Sequence, residues 1–263
     1  MDKYLNTGVK DVIREFPTVG EILEAYGIGC VPCTAGSCLL KDVVEIHHLA
    51  PDAKAEMLAR VAGAIYPDRA ADIPAPVTRP AKEARQISYS PPLQKLVNEH
   101  MVIKRWLALV PQIVARLDRE WDRFRPVLRQ GVEFIRNYAD AYHHAKEEEI
   151  LFAGLDGKLD IIATMRQEHD LARQLVKRLA AGLETSDLQT VKTCLTEHRE
   201  LLLEHIRKED EILYPWIDRG LSDTQVGRLF SRFRDVDQEF GGRPAEYEDF
   251  VRQTEQMLIS RPS

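Results

Sequence analysis

The chain has 263 residues, 36 of them basic and 42 acidic, for a net charge of −6. Hydrophobic residues make up 44% and charged ones 30%, which excludes a disordered chain and supplies enough apolar side chain for a sizeable core. Mild acidity excludes the basic footprint of a nucleic-acid binder. No run reaches the roughly 18–20 apolar residues of a membrane span, and the opening MDKYLNTGVKDVIRE has no export-type apolar stretch. A cytoplasmic protein with no membrane attachment is expected.

Taken in chain order, residues 1–66 read as a small helical domain. Thr18-Val19-Gly20-Glu21 has the spacing of a capping box. The helix it opens carries Ile22, Leu23 and Tyr26 and stops at Gly27. Residues 40–47 and 52–66 read as two more helices. Cys30, Cys33 and Cys38, three of the four cysteines, fall within nine residues. They suit a redox dithiol, a thiolate metal site completed by His47 or His48, or reduced thiols that only pack a small domain. Residues 67–91 hold Pro67, Pro74, Pro76, Pro80 and Pro91 and read as an extended linker.

The body, 92–220, has four sets of apolar residues at helical spacing, around Leu93–Leu107, Leu128–Ala139, Ile162–Leu179 and Leu195–Trp216. Breaks are expected at Pro126, near Gly154 and Gly157, and over Gly182–Asp187. Pro111 is expected to kink or end the first helix. Short loops between long amphipathic helices make antiparallel neighbours, so the fold class is all-α, an up-and-down four-helix bundle. Residues 221–263 form a helical extension whose first helix, about Asp223–Phe240, packs outside the bundle.

An internal repeat carries the chemistry. HHAKEEEILF at 143–152 and HIRKEDEILY at 205–214 agree at six of ten positions, and Glu99-His100 and Glu168-His169 precede them. Each half therefore contributes Glu-His and then His-x3-Glu. Residues four apart share a helix face, which pairs His143 with Glu147 and His205 with Glu209. On a regular helix His205 lies on the core stripe and His143 flanks it, whereas His144 falls about 100° further round. His100 sits between Val97 and Ile103, and His169 between Met165 and Ala172. Burying four imidazoles and two carboxylates together is costly unless they are paired or coordinated. A metal centre resolves that cost, and this donor set suits Fe, Mn or Zn, with enough ligands for two ions.

His198, two turns before His205, is roughly 10 Å along the axis and is assigned a supporting or core role. Tyr138 and Tyr142 are hydrogen-bond donors near the site or plain core. Cys194 is a core residue, and Glu148 and Glu149 are solvated.

At these residues the chain resembles the hemerythrin-like, HHE cation-binding family over roughly 92–217. The motifs are a His on the first helix, HxxKEExILF on the second, EHD on the third and HxxxExxxLYP on the fourth. The resemblance implies two non-haem irons with an oxo or hydroxo bridge, held by His100, His143, Glu147, His169, His205 and Glu209. Oxygen carriers of the family place a second histidine where this chain has Arg173, and an aspartate five residues after the last histidine where it has Glu209 four after. These departures bring the chain closer to iron–sulfur-cluster repair proteins, whose small Cys-containing helical domain is similar to 1–66. NO, O2 or peroxide as ligand and an iron–sulfur protein as partner are implied. Enzyme, sensor and iron store remain open, as does the oligomeric state.

Overall fold

The computed structural model describes residues 2–26, 28, 39–41, 51–67, 89–155 and 160–259. Cys30, Cys33 and Cys38, His47 and His48, and residues 68–88 of the expected linker lie outside them. The chain divides into two compact units, Met1–Ser88 with Gly157–Thr164, and Tyr89–Asp156 with Met165–Ser263.

In the first unit α1 (Asp2–Leu5), α2 (Val9–Glu15), α3 (Pro17–Ala25) and α4 (Pro51–Ile65) enclose a core that includes Val12, Val19, Leu23, Met57 and Val61. The capping box expected at Thr18 does not form. Phe16 is the N-cap of α3 and Pro17 takes its first turn, where a missing N–H costs nothing.

The second unit contains the bundle. Helix α5 (Pro91–Arg116) starts at Pro91, inside the expected linker, again because proline suits a first turn. It runs through Pro111 without ending. One proline removes one ladder bond, while Leu109, Val110 and Ile113 are buried around it and hold the segment. Helix α6 (Trp121–Phe134) likewise contains Pro126, and the break falls earlier, at 117–120. It continues without interruption into two π-helical segments, Ile135–His144 and Glu147–Leu151. Helix α7 (Asp160–Thr185) and α8 (Leu188–Lys208) complete the four. Asp187 caps α8 by accepting from the Thr190 N–H at 3.1 Å. A π turn, Glu209–Leu213, joins α8 to α9 (Tyr214–Gly220).

The extension is two helices, α10 (Asp223–Phe240), opened by a Ser222/Gln225 capping box, and α11 (Arg243–Ile259). Both pack against α5, and Val251 and Leu258 are part of the bundle core. No helix is long and apolar enough to cross a membrane among the described residues.

The core around Trp106 is close-packed. A Cβ at Gly131 would stand 2.4 Å from two carbons of the Trp106 ring, whereas one at Gly227, on α10, would meet nothing within 4 Å. Gly131→Ala is expected to cost about 1–3 kcal/mol through overpacking. Gly227→Ala is expected to stabilise by about 0.5–1 kcal/mol as a helix-interior replacement. Thermal melts followed by circular dichroism check both; a Gly131→Ala melt equal to wild type contradicts the packing described.

Candidate metal centre

The two copies of the repeat meet at the middle of the bundle, and the π turns set how their side chains point. The Ala145 N–H bonds to the Asp140 carbonyl, Phe152 to Glu147 and Tyr214 to Glu209, each five residues back. Such turns are wider than α-helical ones and recur at functional sites. Successive residues rotate less than on a regular helix, so His143 and His144 both enter the core. His144 was expected off the core stripe; it is buried, and the widened turn is the reason.

His100, His143, Glu147, His169, His205 and Glu209 are all fully buried and brought together. The Nε2 atoms of His100 and His143 face each other at 2.8 Å, and those of His169 and His205 at 2.9 Å. Glu209 reaches across both pairs, with Oε2 3.3 Å from His100 Nε2 and Oε1 3.2 Å from His205 Nε2. Glu147 does the same through Oε2, 3.7 Å from His143 Nε2 and 3.5 Å from His169 Nε2. Donor atoms fall into two groups close enough to share an ion: His100, His143, Glu147 and Glu209, and His144, Glu147, His169 and His205.

Every imidazole of the two facing pairs is anchored at its other nitrogen. His143 Nδ1 lies 2.9 Å from Glu99, His100 Nδ1 2.7 Å from Asp210, His205 Nδ1 2.9 Å from Glu168 and His169 Nδ1 2.6 Å from Glu148. A carboxylate accepts the Nδ1 proton, which leaves Nε2 as the lone-pair nitrogen facing inward, the arrangement that supports metal-ligating histidines. Two neutral imidazoles with facing lone pairs repel each other unless a cation lies between them. The Glu147 Oε2 atom and both Glu209 oxygens are buried without a hydrogen-bond partner, and that state is expensive in an apolar core. The residues present therefore fit a metal.

The lysines matched in the repeat are also explained. Lys146 lies 2.5 Å from Glu99, and Lys208 pairs with Glu168; both lysines are buried. Glu148, expected to be solvated, is half-buried between His169 and Arg173, to which it lies at 2.6 and 2.7 Å. Glu149 is exposed as expected. Tyr214 donates to Glu147 Oε1 and stacks on His100. Tyr142 donates to Asp237 of α10 at 2.8 Å, and Asp237 also lies 3.3 Å from Lys146. Tyr138 is plain aromatic core, stacked on Phe134, and Cys194 is buried core. His198 belongs to neither donor group.

Burial pushes Glu147 well above the usual carboxylate range, and the Glu209 charge adds to it. Burial would raise Glu209 too, but the His205 and His100 imidazoles hold it well below that range. Burial works against a charged His205, yet Glu209 and Glu168 push it up to about 9. Without a bound cation, protonated imidazoles thus balance Glu209, and a metal would take over that part. Burial also raises Glu99 against the opposing Lys146 charge. Burial would raise Glu148, but the hydrogen bonds from His169 and Arg173 bring it down to about 2.

Sequence reasoning missed His144, and it missed the anchoring carboxylates and lysines. For the latter a signal existed: Glu99 and Glu168, Lys146 and Lys208, and Glu148 and Asp210 occupy equivalent repeat positions. Although α7 carries Arg173 and no second histidine one turn after His169, the donor group of His169 and His205 includes a third imidazole, that of His144. Glu99→Gln and Glu168→Gln, which remove an anchor without touching a donor atom, are each expected to weaken metal binding about 10–100-fold. Competition with a chelator of known affinity measures this; unchanged affinity in both variants contradicts the anchoring.

Among known proteins, three mycobacterial relatives match, one from Mycobacterium bovis and two from strains of Mycobacterium tuberculosis, each named only as an uncharacterized protein. Each is 26% identical over 151 residues, 54% of this chain and 59% of the relative. The chain thus spans less than two thirds of those relatives. No solved structure matches. The model of one family fits where the donor residues lie: residues 92–217 match the hemerythrin HHE cation binding domain.

Proposed function

We propose that residues 92–217 hold two non-haem iron ions and that the centre reacts with a small oxidant: NO, O2 or peroxide. The observation behind this reading is the pair of facing imidazole couples, spanned by Glu147 and Glu209. Imidazole with carboxylate suits iron, and inward carboxylates and histidines on four facing helices are how di-iron bundles are built. When bound, iron supplies one-electron chemistry and coordination positions open to a diatomic molecule.

The chain's own residues set the conditions. Glu99, Asp210, Glu168 and Glu148 keep the Nδ1 protons, so that His143, His100, His205 and His169 present Nε2 inward. Tyr214 orients Glu147 and holds a proton at its hydroxyl. With metal bound, Glu147 and Glu209 would supply two negative charges between the imidazole pairs, and His144 would add a third imidazole on the His169/His205 side. Leu202, Ile206, Ile103 and Tyr138 are buried in the surrounding core and limit water.

Metal analysis of the full chain should find two irons. Glu147→Ala and Glu209→Ala should each release at least one, while His198→Ala should keep both. The protein reduced without air should then change its optical spectrum on stoichiometric NO or O2. A single iron in the wild type, or a reduced centre inert to both gases, would refute the proposal.

A further inference from the structure

Beside the centre lies a cavity of about 370 Å³. One water in the liquid occupies roughly 30 Å³, and cavities of this size hold organic ligands. A diatomic molecule leaves most of it empty. Its lining includes His144 and His169, so that it borders only one of the two donor groups.

The lining is graded. Ile135, Ala172 and Val176 form apolar walls. Deep in the bundle, His198 is 2% exposed and its Nε2 atom has no hydrogen-bond partner. His144 Nδ1, on the same cavity, has only the Asp140 carboxylate near it, at 3.5 Å. A buried imidazole nitrogen left unpaired needs a ligand group or ordered water. A hydroxyl satisfies it in either tautomer, because it both donates and accepts. A carboxylate there would lose its hydration against neutral, buried rings. Charge belongs at the other end. Arg136 and Lys177 are exposed and line the cavity. Arg173 is engaged by Asp140, Glu148 and Asp170 and walls the site, and Arg136 has only a 3.6 Å contact with Glu133.

We infer that this cavity binds a small organic acid with an apolar or aromatic body. Its carboxylate lies between Arg136 and Lys177, and a hydroxyl at its far end meets His198 beside His144. This goes beyond the metal reading and stands whichever ion the centre holds. 4-Hydroxyphenylacetate has these parts. Phenylacetate lacks the hydroxyl, and 2-(4-hydroxyphenyl)ethanol lacks the carboxylate.

Calorimetric titration of the full chain, with and without metal, tests the assignment. 4-Hydroxyphenylacetate should saturate at one per chain and bind about 10-fold more tightly than either relative. His198→Leu should erase its advantage over phenylacetate. Lys177→Glu, an exposed change that leaves the core intact, should erase its advantage over the alcohol. Val176→Trp should abolish binding by filling the cavity. Equal affinity for all three compounds, or preferences unmoved by His198→Leu and Lys177→Glu, would overturn the inference. So would absence of binding in a chain that holds its full metal content, an outcome that leaves the metal reading standing.

Discussion

Four imidazoles forced to face one another in pairs, fully buried inside the bundle, are the constraint on which the rest of this molecule depends. The Nε2 atoms of each couple approach within 2.9 Å, closer than two lone pairs tolerate without a positive charge between them. Carboxylates on the far side of each ring fix the tautomer that creates the conflict, and buried lysines steady two of those carboxylates. The bundle is thus assembled around groups that individually oppose folding. It tolerates them because each is answered by a partner from another helix: Glu99 on α5 answers His143, and Glu168 on α7 answers His205.

That exchange between helices explains why the repeat spans two helices rather than one. The Glu-His pair on the first helix of each half splits its duties. The histidine faces the centre, and the adjacent glutamate anchors the histidine of the following helix. The next carboxylate after the His-x3-Glu motif, Glu148 or Asp210, then crosses to the opposite half. Each half is completed by the other, so the two are not separable modules although their sequences look like copies.

Much of this was legible beforehand, and the misses share a cause. The helices, their antiparallel order and the six buried His and Glu residues followed from apolar spacing and from the repeat. The structure brings those six together. His144 was placed wrongly because a regular 3.6-residue turn was assumed where the backbone adopts i→i+5 hydrogen bonding. Nothing in the local composition announces that change. Glu148 was read as solvated because a run of three glutamates usually is; its burial depends on Arg173 and His169 of a distant helix. Pro111 and Pro126 failed as breaks because tertiary packing outweighed one lost hydrogen bond. The triple-cysteine segment is outside the described residues, and its reading stays where the sequence left it.

The contact of Asp237 with Lys146 and Tyr142 has a further meaning. Asp237 lies on α10, beyond the segment that matches the hemerythrin HHE cation binding domain. It ties Lys146 to Lys95, whose Nζ lies 2.6 Å from it, behind Glu99 and His143 on one side of a pseudo-twofold arrangement, and the repeat encodes no counterpart for it. Duplicated halves begin as equals, and a helix appended later in the chain makes them unequal. The imidazole pair on that side is thus braced, through Lys146 and Glu99, by a helix outside the repeat. Symmetry written in the repeat is therefore broken twice, from outside by α10 and from within by His144, so that the two donor groups differ both in the atoms they offer and in what stands behind them.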